Sequence, residues 1–263
     1  MARKALCIGI NDYPGTSSDL SGCVNDAHDW EAELGRRGFE VRTLLDRQAS
    51  KAAMVDAMDA LITAAGSGDT VVITYSGHGT WVADKDGDEV DARDEGLCPW
   101  DIGKGQVLLD DELHDLFGQR AAGVRVLLIS DSCHSGSVSR GSTPDLDPDM
   151  PRARFLPPQA WMSAADLPRR TPRAVRSGLS RAGGDLLMAG CQDSEFSWDT
   201  RFRGRPNGAF TYYALKALAT LKPDASYAQW FKAITPLHLP SNSLPQTPQL
   251  FGSATARRWK VFA

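Results

Sequence analysis

The sequence predicts an α/β fold built on a mostly parallel sheet with helices on both faces. Three observations carry that expectation. Apolar, β-rich runs alternate along the chain with stretches of helical periodicity, the rhythm of βαβ units. Two of those runs, Val71-Val-Ile-Thr-Tyr75 and Val126-Leu-Leu-Ile129, read as strands buried within a sheet. Both stop at turns of small residues, Ser76-Gly-His-Gly79 and Ser130-Asp-Ser-Cys-His-Ser-Gly136, which is how such folds deliver reactive side chains to a sheet edge.

Taken in order, residues 4–10 form a first strand that ends at the turn cluster Asn11-Asp12-Tyr13-Pro14-Gly15. The spacing of Val24, Ala27, Trp30 and Leu34 predicts a helix over 23–36, stopping near Gly38. Residues 39–45 read as a second strand. Residues 50–65 read as a second helix, with Ser50 as N-cap and Gly66 at its stop. The third strand is 71–75, and the fourth, 124–129, follows a helix near 110–120. Residues 137–182 break the rhythm with Ser, Pro, Asp and Arg, and read as a long linker or mobile loop. Order resumes with a fifth strand at 185–190. A helix over 208–221 follows, with Phe210, Tyr213, Ala214 and Leu218 on one face, and then another near 226–234. Arg257-Arg-Trp-Lys-Val-Phe262 is the expected last strand, and no internal repeat is visible.

The chain has 263 residues, enough for one large domain or two small ones. It is 42% hydrophobic and 24% charged, ordinary values for a globular protein. A net charge of -4 gives no nucleic-acid footprint, and no apolar stretch is long enough to span a bilayer. The five cysteines are odd in number and show no CxxC pair, which suits a reduced, cytoplasmic setting. The seven tryptophans read as packing residues and suggest no ligand cage.

Cys133 and His78 each sit at a strand end beside Gly and Ser. A cysteine needs a nearby base to become a thiolate at neutral pH, and a histidine from a second strand end can supply it. Taken singly, each is read as readily as a buried structural cysteine or a solvated histidine. Their coincidence favours covalent acyl transfer, with turn amides holding the oxyanion.

Tyr75-Ser-Gly-His-Gly79 and Asp131-Ser-Cys-His-Ser-Gly136 resemble the two catalytic motifs of metacaspases, in the caspase-like clan of cysteine peptidases. The resemblance extends to Asn11-Asp12-Tyr13, Leu20-Ser-Gly-Cys-Val-Asn-Asp-Ala27, Pro99-Trp-Asp101, Ala189-Gly-Cys-Gln-Asp193 and Gly208-Ala-Phe-Thr211. It implies a caspase-like α/β/α sandwich around a mostly parallel six-stranded sheet. It further implies a large part over 1–138, an Arg/Pro-rich linker over 139–182 and a small part over 183–263, all in one compact domain. No prodomain is expected, and the chain is expected to act as a monomer. Cys133 would be the nucleophile, His78 the base, and the amides of Gly79 and Cys133 the oxyanion hole. His134 would be a motif residue and not the base.

Asp26 opens the first helix, and Asp131 lies on the same side of its strand as Cys133 by period-two alternation. Two converging carboxylates would take a guanidinium or ammonium and reject an acid. The resemblance places the same residues, with Cys23 and Ser76, in an S1 pocket for Arg or Lys. The alternatives are a helix cap for Asp26 and a hydrogen-bonded loop orienter for Asp131.

The segment 84–95 imitates an EF-hand loop but has Glu89 where the turn needs Gly. It better resembles the acidic insert of metacaspases, many of which use Ca2+. The matching ligands here would be Asp94, Asp110 and Asp111. A further family carboxylate falls where this chain has Arg140, which weakens the expectation. The plain alternative is a solvated acidic loop. The linker carries Arg140, Arg152, Arg154, Arg169, Arg170, Arg173, Arg176 and Arg181. It is expected to be cut by the enzyme itself or to occlude the cleft, the alternative being an insertion without a role.

Three functions therefore stand. The first is an Arg/Lys-specific cysteine endopeptidase acting on protein or peptide substrates. The second is a caspase-clan effector of other specificity, fired by a partner or signal. The third is a non-catalytic scaffold, which the presence of both Cys133 and His78 disfavours.

Overall fold

The computed structural model describes residues 1–83, 93–133, 150–167, 184–192, 195–234, 239–241 and 244–263. Strand β1 (Arg3–Gly9) leads to helix α1 (Cys23–Arg36), β2 (Glu40–Leu45), α2 (Lys51–Thr63) and β3 (Thr70–Ser76). A small antiparallel sheet follows, made of β4 (Gly79–Ala83), β5 (Arg93–Leu97) and β6 (Leu108–Leu109), which runs into α3 (Asp110–Gly118). Then come β7 (Arg125–Asp131) and a short β8 (Arg152–Ala153). The chain continues through β9 (Leu186–Ala189), β10 (Trp198–Phe202), β11 (Arg205–Gly208), α4 (Ala209–Leu218) and α5 (Tyr227–Ile234). It ends with β12 (Leu239–Ser241), β13 (Leu244–Gln246) and β14 (Gln249–Gly252).

Among the described residues the central sheet has six strands in the order β14-β9-β7-β3-β1-β2, parallel except for β14. The mixed α/β architecture and mostly parallel sheet are those expected from sequence. Alternation along each strand feeds two cores. Leu6, Ile8, Val71, Ile73, Val126 and Leu128 face Met54 and Met58 of α2 and Leu113 and Phe117 of α3. Their neighbours Ala5, Cys7, Val72, Leu127 and Ile129 face Trp30 of α1, Phe210 of α4 and Trp230 of α5. Burial on both faces is why these runs read as nearly continuous apolar sequence. Ser50 caps α2 as expected, its hydroxyl accepting from the Ala53 N–H at 3.3 Å.

Two expectations are corrected. The last strand is not 257–262, where Ala256–Arg258 form a 3-10 turn. Val261 and Phe262 are adjacent apolar residues, which breaks a period-two pattern. They are buried in the helical layer, where the Phe262 ring meets Phe39, Tyr227 and Trp230. The sheet edge is taken by β14 instead. Nor is the whole of 137–182 a loose linker. Its described part, 150–167, includes β8 and buries Arg154, Leu156 and Pro158. The arginines at 140, 169, 170, 173, 176 and 181, with His134, lie outside the described residues.

Parallel register brings the carboxyl ends of β1, β3 and β7 level, with Gly9 beside Ser76 and Ser76 beside Asp131. The start of α1 lies at the same edge. Asn11 fixes it there, its side-chain oxygen accepting the Cys23 N–H at 2.8 Å.

Candidate active site

His78 and Cys133 each follow by two residues the Ser76–Asp131 pair that closes the β3–β7 ladder. The backbone around His78 is clamped. Its N–H donates to the Tyr13 hydroxyl at 2.8 Å, and its carbonyl accepts from the Tyr75 hydroxyl at 2.6 Å. A Cβ on Gly77 would press on both of those hydroxyls at 2.5 Å, so glycine is required between them.

The His78 ring is 2% exposed. Its Nε2 donates to the Ser18 carbonyl at 2.6 Å, which fixes the hydrogen there and leaves the lone pair on Nδ1. Nδ1 has no hydrogen-bond partner among the described residues. Burial lowers the imidazole pKa to about 4, against the opposing pull of the Ser18 carbonyl. The ring is therefore neutral at physiological pH, and its free nitrogen can accept a proton. Cys133 is buried, its thiol beside the main chain of Ser197. The neighbouring Cys191 thiol is pushed well up, first by its hydrogen bond with Cys133 and then by burial.

Arg154 fills the space between these strand ends. Its carbonyl accepts from the N–H of Gly79 at 3.0 Å and from the N–H of Cys133 at 3.1 Å. Its own N–H donates to the Ser197 carbonyl at 2.8 Å. Its guanidinium is fully buried and pairs with Asp26 at 2.6 Å, Asp131 at 3.1 Å and Asp199 at 3.3 Å. Upstream, Ala153 and Arg152 pair antiparallel with Trp198 and Asp199 of β10. Downstream, Phe155 bridges to Gly79, and the Leu156 N–H donates to the Gly79 carbonyl at 2.9 Å. An extended chain thus crosses the strand ends, one carbonyl between two amides and the preceding side chain in an acidic pocket.

Each carboxylate is separately held. Asp26 accepts from Asn207 Nδ2 at 2.9 Å and the Gly208 N–H at 3.0 Å. Asp131 accepts from the Thr211 N–H at 2.9 Å and hydroxyl at 2.8 Å, and from the Ser197 hydroxyl. Asp199 accepts from the Ser21 N–H at 2.6 Å and the Gly22 N–H at 3.0 Å. Three carboxylates against one guanidinium leave surplus negative charge in a dry site. Burial accordingly raises Asp26 to about 7, with Arg154 pulling it back, and raises Asp199 as well. The same carboxylates push Arg154 well above its usual value. The hydrogen bonds decide between these opposed directions: donors on every side of Asp26 hold it ionised while Arg154 is present.

Of the residues expected together, the structure gathers Gly79, Cys133, Asp26 and Asp131 around Arg154, with His78 next to Gly79 in the chain. Cys23 lies close enough to Arg154 to feel its charge, and Ser76 is buried in register with Asp131. Sequence reasoning missed Asp199, Asn207, Ser197 and the particular role of Arg154. Asp199 reaches the pocket through the β10–β11 hairpin, and no spacing rule points to it. The Gly208-Ala-Phe-Thr211 run was the visible signal for the Thr211 contact.

Asp94 and Asp110–Asp111 lie along the β5–β6–α3 junction, where Gly96 pairs with Leu109. Among the described residues no three His, Cys, Asp or Glu side chains gather to hold a metal. The acidic stretch 84–92 and Arg140 lie outside the described residues. No helix among the described residues is long and apolar enough to cross a membrane.

A family model described as "Metacaspase, peptidase C14 domain" matches residues 3–140. The chain belongs to the metacaspase family. It is 30% identical to Metacaspase-1 of Schizosaccharomyces pombe, over 94% of this chain and 66% of that one. It is 33% identical to Metacaspase-1 of Cryptococcus neoformans, over 88% of this chain and 58% of the relative. This metacaspase thus spans about two thirds or less of the length of these curated relatives. A crystal structure of a Geobacter sulfurreducens protein, 33% identical, superposes with a TM-score of 0.75 over 100% of this chain and 99% of that one. The fold is caspase-like.

Proposed function

We propose that this metacaspase is a cysteine endopeptidase that cleaves after Arg or Lys, and that its first substrate is its own Arg154–Phe155 bond. The observation that carries this reading is the pose of Arg154, with its carbonyl between two amides and its guanidinium among three carboxylates. Cys133 is the nucleophile. His78 takes the thiol proton on Nδ1, and the thiolate attacks the carbonyl carbon. The Gly79 and Cys133 amides, already on the carbonyl oxygen, hold the developing oxyanion. The imidazolium then gives its proton to the departing amine, and water releases the acyl group.

Asp26, Asp131 and Asp199 form the S1 pocket. Arg is favoured over Lys, because two terminal nitrogens of Arg154 reach three carboxylates and a single ammonium cannot reproduce that fork. An acidic P1 residue would face like charge. The uncut segment also excludes other substrates, so the chain is its own inhibitor until residues 152–154 leave. Calcium at Asp94, Asp110 and Asp111 belongs to this proposal only as a further ligand, and no step above passes through it. The proposed partners are proteins and peptides with exposed Arg or Lys, met by a monomer in the cytoplasm.

Matched fluorogenic peptides ending in Arg, Lys or Asp, tested against Cys133→Ala, examine this reading. Turnover of Arg above Lys, none of Asp, and loss of all turnover in the variant is the expected result. Turnover of Asp peptides, or turnover that survives in Cys133→Ala, would refute it.

A further inference from the structure

Both sides of the Arg154–Phe155 bond are tied to the fold, but by different means. The upstream ties are polar. Arg152 and Ala153 pair with β10, Arg152 Nη1 donates to the Asp19 carbonyl at 2.8 Å, and Arg154 binds its carboxylates. Water or an incoming arginine can replace all of these. The downstream ties belong to the core. Leu156 is 0% exposed within the cluster formed with α2 and α3, and Pro158 is buried. Trp161 packs on the same cluster, and its Nε1 donates to Thr80 at 3.1 Å. Pulling Leu156 out would open a cavity in that core. The Phe155 ring rests 6.2 Å from that of Phe196. A cut at Arg154 therefore leaves the new amino terminus where it was made, beside the catalytic pair.

Resting on the peptidase reading above, we propose that this site is also a peptide ligase, in which the α-amine of Phe155 is a resident acceptor for acyl groups carried on Cys133. The neutral amine attacks the thioester carbon, the C–S bond breaks, and sulfur leaves as the thiolate. The proton shed by nitrogen goes to Nδ1 of His78. This is the cleavage step run backwards, so the same groups serve it. Nothing is oxidised or reduced. With an arginine ester as donor, Cys133 first displaces the alcohol, which takes the proton from His78, and the acyl group then passes to Phe155. An amine held in place competes at an effective concentration of about 10⁵ M, well above that of water, so the self-cut re-forms many times before water completes it and the nick accumulates slowly. Transfer rebuilds an Arg–Phe bond in the cleft, so the ligated enzyme is again occluded.

The test uses wild-type protein incubated until nicked and then given an N-blocked peptide arginine methyl ester. Intact mass and N-terminal sequencing of the 155–263 fragment read the outcome. The ligase account expects one acyl-arginyl group on the Phe155 amine. After about one equivalent per chain, ester consumption should fall to the slow rate of self-cleavage, and the adduct should be absent when Cys133 is first alkylated. Transfer should be about 15- to 25-fold faster at pH 8.5 than at pH 6.5, because a free α-amine titrates near about 8. Continuous ester hydrolysis with an unmodified Phe155 would overturn the ligase and leave the peptidase reading intact. An adduct that forms on the alkylated enzyme would overturn it too. No nick and no ester hydrolysis would overturn the peptidase reading, and the ligase with it.

Discussion

Three buried carboxylates around one guanidinium form an unbalanced group, and the imbalance sets measurable properties of single residues. Asp26 is raised to about 7, first by burial. Arginine binding needs its ionised form, which an emptied, still buried pocket loses as pH falls. His78, lowered to about 4, stays neutral and basic at lower pH still. The acid limb of kcat/KM for an Arg peptide should therefore report Asp26 and lie well above the ordinary carboxylate range, with His78 contributing only below about pH 5. Asp26→Asn should remove that limb and cost about 10- to 100-fold at pH 8, the worth of one charged hydrogen bond. A limb unchanged in Asp26→Asn would show that another group titrates. His78→Ala should cost about 10²- to 10⁴-fold, the usual contribution of a general base, with peptide KM little changed. Arg154→Ala should destabilise the fold by about 3–5 kcal/mol, because it leaves buried charge without its partner. The sign follows from linkage. Without the cation the carboxylates bind protons more readily in the folded state than in the unfolded one, so stability falls as pH rises. Thermal melts at pH 5 and pH 8 should show the larger loss at pH 8, and an equal loss would argue against the carboxylates as its source. At this scale the sequence pointed to Cys133, His78, Asp131 and Asp26, since the first three sit in short motifs at strand ends and Asp26 opens α1. It could not disclose Arg154, one of many loop arginines until tertiary contacts single it out.

Elements were legible in proportion to how local their causes are. Helices α1, α2, α4 and α5 follow apolar spacing and caps, and the structure places each within a few residues of its expected range. Strands β1, β3 and β7 follow continuous apolar runs, because both their faces are buried. The three small antiparallel sheets among the described residues, β4-β5-β6, β11-β10-β8 and β12-β13, were not seen, since their strands are short and β8 and β6, of two residues each, owe their pairing to distant partners. The end of the chain misled for a related reason: Trp259, Val261 and Phe262 resemble a strand locally, but they fill the helical layer. The segment 150–161 is held by one apolar anchor as much as by ion pairs. Leu156→Ala should cost about 2–5 kcal/mol and should loosen the downstream side of the cleft. Chemical denaturation checks the first effect. Limited proteolysis beyond residue 156 checks the second, and unchanged resistance would show that Leu156 is not the anchor.

For the whole molecule, the ends of one sheet and the start of α1 carry the proposed nucleophile and two acids of the proposed pocket, while Asp199 of β10 brings the third. In the proposed self-cleavage the segment lies in the cleft of its own chain, so the first cut would be intramolecular. Its rate should not change over a hundredfold dilution, and a rate proportional to protein concentration would mean that one molecule cuts another. The measurement that bears most directly on the account is the amino-terminal sequence and mass of the fragments formed by wild type and by Cys133→Ala on prolonged incubation. The account predicts fragments 1–154 and 155–263, with a new terminus at Phe155, in wild type alone. An intact wild-type chain, a cut at another arginine, or the same fragments in Cys133→Ala would contradict it.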